Sequence, residues 1–143
     1  MAVNNIICDY YVKEIRVLAE QGVAVWNSGL TKGQVKDLEK IQKVALRIIL
    51  GDDYGSYDVA CKFFNLQPLN ERRLQLCTNF ALKLFKSERS EQFFTHRKVK
   101  TRCDDPVVEK KCNTLRCFNA PHNYLSRLVN QNKDKLKPSF KPK

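Results

Sequence analysis

"TKGQVKDLEKIQKVALRIILG", the stretch from Thr31 to Gly51, has the clearest helical pattern in the chain. Its apolar side consists of Val35, Leu38, Ile41 or Gln42, Ala45, Ile48 and Ile49. Apolar residues that recur every three or four positions form one face of an α-helix. Thr31 and Gln34 have the spacing of a capping box, and glycine at position 51 favours a helix end. The stretch therefore predicts a helix that begins near Thr31 and ends at Gly51.

Helical spacing also occurs on both sides of this stretch. The segments are residues 6–25, interrupted at Gly22; "SYDVACKFFNL" from Ser56, with Val59, Ala60, Phe63 and Phe64 as its apolar side; "NERRLQLCTNFALKLFKS" from Asn70; and "HNYLSRLVNQ" from His122. The chain has no pair of alternating apolar and polar runs of the kind that predicts a hairpin. We therefore predict a mostly α-helical protein, a small helical bundle.

The C-terminal part differs in composition from the rest. From Ser87 to Pro106 the sequence is highly charged and lacks periodic apolar residues, which predicts a loop or arm. Residues 91–143 hold 13 Lys+Arg against 5 Asp+Glu, and "KDKLKPSFKPK" at the end has the composition of a disordered basic tail. These features predict a helical domain over residues 1–90 and a basic, partly disordered C-terminal extension over residues 91–143.

The predicted core combines the apolar positions of the three longest helical segments. It consists of Trp26, Leu38, Ile41, Ala45, Ile48, Phe63, Leu74, Cys77, Phe80 and Leu84. A chain of 143 residues is long enough to bury such a core in a single domain.

The net charge indicates which classes of partner the protein favours, and the cysteines indicate the cellular compartment. The formal net charge of +11 favours polyanionic partners, such as nucleic acid or an anionic membrane surface. No run of about 18 apolar residues is present, so we expect no membrane-spanning helix. The six cysteines occur without a secretory signal, which predicts reduced thiols in an intracellular protein of the cytoplasm or nucleus.

Two short motifs contain residue types that bind metals, but the sequence around each motif is not typical of a metal site. Gly51, Asp52 and Asp53 match the Gly-Asp-Asp of many RNA-templated polymerases, where the carboxylates lie on a turn between two strands and share metal ions with a further carboxylate. Here the triplet follows a predicted helix, so we expect Asp52 and Asp53 to form a short acidic turn that leads, through Ser56 and Asp58, into the next helix.

The second motif consists of four potential zinc ligands, Cys103, Cys112, Cys117 and His122. Zinc sites usually bring their ligands as two close pairs, and here eight, four and four residues intervene between successive ligands, which does not form two pairs. The chain also lacks a nucleophile motif and a glycine-rich phosphate loop. We therefore predict no enzyme activity, no metal, no cofactor and no small-molecule substrate.

Three phrases of the chain resemble one known family. They are "IRVLAEQGVAVWNSGLTKGQVKDLEKIQKVALRIILG" at residues 15–51, "LNERRLQLC" at residues 69–77 and "TLRCFNAPHNYLSRLVN" at residues 114–130. In this order they resemble the segment that follows the polymerase palm in reverse transcriptases of non-LTR retrotransposons, of the jockey, chicken-repeat and related lineages. The chain departs from the family pattern at Val17, Gln21, Cys117 and Asn123.

The resemblance implies a thumb region and a C-terminal extension, whose helices grip the template-primer duplex through its backbone. The catalytic aspartates of the family lie upstream, in the palm, so this chain is expected to be a non-catalytic fragment of an RNA-directed DNA polymerase. Basic residues that match or adjoin the motifs are the predicted phosphate contacts: Lys43, Arg47, Arg72, Arg73, Arg116 and Arg127.

Two alternatives remain open at this point. One is a helical protein-interaction module that does not bind nucleic acid. The other is a metal-dependent nuclease or polymerase that uses Asp52 and Asp53. The preference for RNA or DNA and the oligomeric state also remain open.

Overall fold

The computed structural model describes residues 2–98 and 104–136. Within these ranges the protein is mostly α-helical, as predicted, and β-structure is limited to one isolated antiparallel bridge between His96 and Val107. The helices are α1 (Ala2–Tyr10), α2 (Arg16–Glu20), α3 (Val23–Trp26), α4 (Lys32–Leu50), α5 (Tyr57–Phe63), α6 (Leu69–Lys86), α7 (Ser90–Phe93), α8 (Leu115–Phe118) and α9 (Pro121–Gln131).

The chain divides into two compact units. Unit 1 comprises Met1–Val23 and Leu30–Leu74, and unit 2 comprises Ala24–Gly29 and Gln75–Lys143. The division therefore falls inside α6, whereas the sequence placed it after residue 90. The loss of apolar periodicity near Ser87 marks the end of a helix and does not mark the end of a compact unit.

Unit 1 begins with a helix that contains a π-helical turn. Tyr11–Ile15 forms this turn between α1 and α2, and the Arg16 N–H donates to the carbonyl oxygen of Tyr11. A π turn inserts one residue into the helical repeat. Arg16 therefore lies on the same buried face as Cys8 and Tyr11, although it is eight residues from Cys8.

Helices α4 and α5 begin at the residues that the sequence indicated. Thr31 caps α4 in a reciprocal capping box with Gln34, and Gly51 follows its last residue with φ +56°. Ser56 caps α5 through its side chain, which accepts from the Val59 N–H. These helix ends could be predicted from the sequence because capping interactions involve only residues that are close along the chain.

The predicted core is largely wrong about which faces are buried. Cys77 is buried, but Trp26, Leu38, Ala45 and Leu84 are only partly buried. Five predicted core residues are exposed: Ile41, Ile48, Phe63, Leu74 and Phe80. The core of unit 1 consists of Cys8, Tyr11, Leu46, Ile49, Ala60 and Cys61. On α4 and α5 the buried face is thus rotated by about one residue from the predicted face.

A polar network inside unit 1 explains this rotation. Gln42 is fully buried, and its Nε2 donates to the carbonyl oxygen of Gln67 and to Tyr57 Oη, each at 3.0 Å. Its Oε1 accepts from Tyr11 Oη at 3.4 Å. Because buried polar groups are stable only when they are hydrogen-bonded, α4 presents Gln42 inward together with Leu46.

The network also fixes the start of α6. Tyr57 donates to Glu39, whose carboxylate accepts from the backbone N–H groups of Leu69 at 3.0 Å and Asn70 at 2.9 Å. A carboxylate at this position satisfies donors that have no partner within the helix. Burial, followed by the hydrogen bond to Glu39, raises the pKa of Tyr57. Burial likewise raises the pKa of Tyr11 to about 12.

Unit 2 is organised around α9, which was predicted as the last helix. Asn130 on α9 pairs with both backbone groups of Val107, accepting from its N–H at 3.2 Å and donating to its carbonyl oxygen at 3.1 Å. Tyr124 accepts from Asn27 Nδ2 at 3.3 Å. These bonds hold the 3-10 turn Asn27–Gly29 and the segment around Val107 to the helix.

The described residues of the C-terminal part of unit 2 contain short elements of secondary structure that the sequence did not indicate. The predicted loop from Ser87 to Pro106 includes α7 and His96, which forms the antiparallel bridge with Val107 just after the loop. The predicted tail begins as a 3-10 turn, Lys133–Leu136, whose Leu136 is buried. The rest of the predicted tail, residues 137–143, lies outside the described residues, as does Cys103.

Candidate nucleic-acid interface

A row of basic side chains runs along one face of α4. Successive members are four, four, three and four residues apart, and all are exposed: Lys32, Lys36, Lys40, Lys43 and Arg47. With 3.6 residues per turn and a rise of 1.5 Å, the row occupies about 80° of the helix circumference and about 22 Å of its length. We call this set the α4 basic row.

No acidic side chain interrupts the α4 basic row. Asp37 lies about 100° around the helix from the centre of the row, by the helical repeat. Glu39 is bound to the start of α6 and to Tyr57. By the same repeat Glu39 lies about 60° from the centre on the other side. The row itself therefore contains only positive side chains, and one acidic residue borders it on each side.

The α4 basic row contains Lys43 and Arg47, two of the predicted phosphate contacts. The Lys43 ammonium lies 5.1 Å from the ring centroid of Tyr57, an orientation that restrains the side chain while leaving it exposed. Arg47 lies in the last turn of α4, where a positive charge is also favourable to the helix dipole.

Three members of the row, Lys32, Lys36 and Lys40, were absent from the predicted set. Their spacing of four residues was visible in the sequence, and it places them on the face of Lys43 and Arg47. The predicted set followed the family motifs, and these lysines do not belong to those motifs. Helical periodicity of charge selects all five members of the row, whereas the motifs select two of them.

The structure corrects the predicted set of phosphate contacts at Arg73. It is only 1% exposed, so its guanidinium cannot contact a phosphate at the surface. Arg72 is partly exposed, and its Nε lies 3.5 Å from the Glu20 carboxylate. The same carboxylate binds the buried Arg16 Nε at 2.9 Å. Arg72 thus forms an ion pair within unit 1. Arg73 is buried in the same unit.

Arg116 and Arg127 belong to unit 2. Arg116 is exposed on α8. Arg127 stacks on the Phe118 ring, with its guanidinium carbon 3.6 Å from the centroid, and its Nη1 donates to the Phe118 carbonyl oxygen at 2.7 Å. This bond satisfies a carbonyl at the end of α8, so Arg127 has a structural role.

Asp52 and Asp53 lie on a 3-10 turn, Gly51–Asp53, between α4 and α5. Both carboxylates are exposed, and the turn joins two helices rather than two strands. In the described ranges, 2–98 and 104–136, no three His, Cys, Asp or Glu side chains are grouped closely enough to hold a metal ion.

Many residues of the quoted motifs have structural roles. Arg16 and Gln42 both donate to the carbonyl oxygen of Gln67, which joins α5 to α6. Thr114 caps α8 by accepting from the Cys117 N–H, and Pro121 occupies the first turn of α9. A phrase can thus match a family because it specifies local folding, without specifying a ligand.

The chain matches no protein-family model, and comparisons with curated proteins and with solved structures also found no match. No helix of the described residues combines the length and the apolar character that a bilayer span requires.

Proposed function

We propose that the chain is a non-catalytic helical part of a retrotransposon RNA-directed DNA polymerase that binds nucleic acid through the phosphate backbone. The ancestry is supported by the three motif phrases, which occur in the family order over residues 15–130. Binding is supported by the net charge of +11 and by the α4 basic row. In this proposal Asp52 and Asp53 have no catalytic role.

The α4 basic row is the observation that carries the proposal. One strand of duplex DNA presents about six phosphates over 22 Å, and the row offers five cations over the same length. Lysines with exposed, flexible side chains neutralise phosphates and release counterions without reading bases. Salt-dependent binding that tolerates changes of sequence is therefore the expected behaviour.

The proposal is tested with a fourfold variant of the row: Lys36→Gln, Lys40→Gln, Lys43→Gln and Arg47→Gln. Binding to a labelled 25-base-pair duplex is measured by fluorescence anisotropy over a salt series. Because each phosphate contact contributes about 0.9 to the slope of log K against log salt, the slope should fall in magnitude by about 3 to 4. Duplexes of fixed and random sequence should lose affinity equally.

A matched control removes four exposed positive charges from unit 2: Lys83→Gln, Lys86→Gln, Arg89→Gln and Lys98→Gln. This control should change the slope by less than about 1, the contribution of a single contact. Equal losses in both variants would mean that net charge alone governs binding. An unchanged slope in a folded row variant would remove α4 from the interface, and sequence-selective loss would contradict backbone binding.

The alternative function is association between two copies of the chain through helix residues 2–20. One face of this helix exposes large apolar side chains: Val3, Ile6, Ile7, Tyr10 and Leu18. Exposed apolar residues that form a continuous helical stripe often mark an interaction surface. The same helix holds more acidic than basic residues, so two copies meet there without the repulsion of the strongly basic remainder.

Charge placement favours a second copy as the occupant of this stripe. Asp9 and Lys13 form an exposed pair at 3.6 Å beside the stripe. In an antiparallel pair of helices related by a two-fold axis near Tyr11, Asp9 of each copy lies opposite Lys13 of the other. This arrangement is the self-complementarity that a two-fold interface requires.

Analytical ultracentrifugation of the full chain tests this alternative. The wild type should show a reversible dimer, and Ile6→Glu together with Leu18→Glu should abolish it while circular dichroism stays unchanged. A monomeric wild type at high protein concentration would exclude the alternative. The row variant should still dimerise, which separates this function from nucleic-acid binding.

A further inference from the structure

Two cysteine sulfurs of unit 2 lie unusually close together. Cys112 Sγ and Cys117 Sγ are 3.0 Å apart, and both side chains are partly exposed. Cys112 lies in the segment before α8 and Cys117 lies within α8. A disulfide needs sulfurs about 2.05 Å apart, so small side-chain rotations suffice to form one.

The surrounding bonds hold the two sulfurs in this arrangement. The buried amide of Asn123 donates to Cys112 Sγ at 3.1 Å and to the Cys117 carbonyl oxygen at 2.7 Å. Thr114, between the two cysteines, fixes the first turn of α8 through the Cys117 N–H at 3.2 Å. Asn123 and Thr114 together keep the short loop closed before any covalent bond forms.

The other cysteines of the described residues are less exposed to solvent than Cys112 and Cys117. Cys8, Cys61 and Cys77 are buried, with exposed fractions of 6%, 5% and 0%. A dissolved oxidant reaches a thiol only where the sulfur contacts solvent. Of the described cysteines, Cys112 and Cys117 therefore combine access with a neighbouring thiol.

We propose that Cys112 and Cys117 are a redox modification site that forms a reversible intrachain disulfide with a low-molecular-weight disulfide, such as oxidised glutathione, as oxidant. One protein thiolate attacks a glutathione sulfur, which forms a mixed disulfide and releases one glutathione. The second protein thiolate attacks the protein sulfur of that mixed disulfide and releases the other glutathione. The two protein thiols lose two electrons and two protons, and glutathione disulfide takes up both as two thiols.

The disulfide would tie α8 to the segment that precedes it. Helix α8 carries the exposed Arg116, and its end is bound by Arg127. A closed six-residue loop restricts the freedom of this helix, although short loops contribute little stability. This site is inferred from the distance between the two sulfurs and is independent of the proposed function.

Peptide mapping of the full native chain tests the site. The protein is equilibrated in glutathione buffers of increasing oxidised fraction, free thiols are alkylated, and trypsin cuts after Lys111, Arg116 and Arg127. The expected product is peptide 112–116 joined to peptide 117–127, lighter by two hydrogen masses than the sum of the two peptides. Dithiothreitol should restore both alkylatable thiols.

Cys112→Ser and Cys117→Ser are the matched controls. Each should abolish the joined peptide and leave a single glutathione adduct on the remaining cysteine, because the resolving thiol is missing. The proposal fails if the equilibrated wild type carries separate glutathione adducts or unmodified thiols at both positions. It also fails if either cysteine pairs with Cys103 in place of its neighbour.

Discussion

Two faces of α4 have opposite environments although their residues alternate along the same helix. Gln42, Leu46 and Ile49 are buried against other parts of unit 1, whereas the α4 basic row is exposed along the whole helix. The buried face specifies the fold through packing and hydrogen bonds. The basic face is free to serve a partner, because its replacement costs the fold little. A residue's neighbours in space, more than its type, therefore decide which side chains of this helix are buried.

The largest expected effect comes from the buried face. Leu46 is fully buried, and Leu46→Ala should lower the free energy of unfolding by about 3 kcal/mol, because it removes packed atoms and leaves a cavity. Ile48→Ala, two residues away and 74% exposed, should cost less than about 0.5 kcal/mol. Urea denaturation of both variants checks the difference. Equal midpoints would show that the facing of α4 is wrong.

The next effect concerns the polar centre of the same face. Gln42→Leu replaces the amide with an apolar side chain of similar size and leaves the buried Tyr11 hydroxyl without its acceptor. We expect the free energy of unfolding to fall by about 2 kcal/mol, the cost of an unsatisfied buried polar group. Lys40→Gln, on the basic face, is the control and should be nearly neutral in urea denaturation. A stabilised Gln42→Leu protein would mean that the network is dispensable.

Removal of the cap at the beginning of α4 should lower the free energy of unfolding by a smaller amount. The cap stabilises the helix that carries both faces. Thr31→Ala removes the side chain that accepts from the Gln34 N–H, and it should cost about 1 kcal/mol. Thr31→Ser keeps the hydroxyl and should retain most of that free energy. Thermal unfolding followed by circular dichroism measures the three proteins. A Thr31→Ser variant as unstable as Thr31→Ala would argue against the capping box.

Alkaline pH should weaken the buried face selectively. The folded-state pKa of Tyr11, about 12, lies above its usual value of 10.0, so the folded protein keeps a proton that the unfolded chain loses. The contribution to stability is fully present below pH 10 and is lost as the pH rises towards 12. At pH 10.5 the loss is about 0.8 kcal/mol relative to pH 8.

The check for this effect is urea denaturation at pH 8 and pH 10.5. Tyr11→Phe should be less sensitive to the change of pH than the wild type by about 0.8 kcal/mol, since it has no phenol to titrate. Tyr10→Phe, at an exposed neighbouring position, should behave as the wild type does. Parallel pH dependence in all three proteins would refute the assignment to Tyr11.

Much of the secondary structure was predictable, because its signals act over a few residues. The Thr31 cap, the end at Gly51 and the Ser56 cap occur where the sequence placed them. The burial of α4 was not predictable in the same way. Leu38, Ile41, Ala45 and Ile48 satisfy helical spacing as well as the true core does, and spacing alone could not choose between Ile41 and Gln42.

The candidate interface shows a similar limit. The α4 basic row was present in the sequence as charge at helical spacing, and only part of it was predicted because the selection followed family motifs. The burial of Arg73 left no local signal, since adjacent arginines in "NERRLQLC" look alike. The close approach of Cys112 and Cys117 likewise depends on Asn123, which lies beyond α8.

The sequence by itself determined a helical fold, the caps of its central helix and a strongly basic charge, because these follow from spacing, local hydrogen bonds and composition. Tertiary structure alone decided that Gln42, and not Ile41, belongs to the core and that Arg73 is buried. The physical reason is that burial depends on which groups distant in sequence are brought together. The carbonyl of Gln67 and the hydroxyls of Tyr11 and Tyr57 stabilise an inward glutamine only after the chain has folded around them.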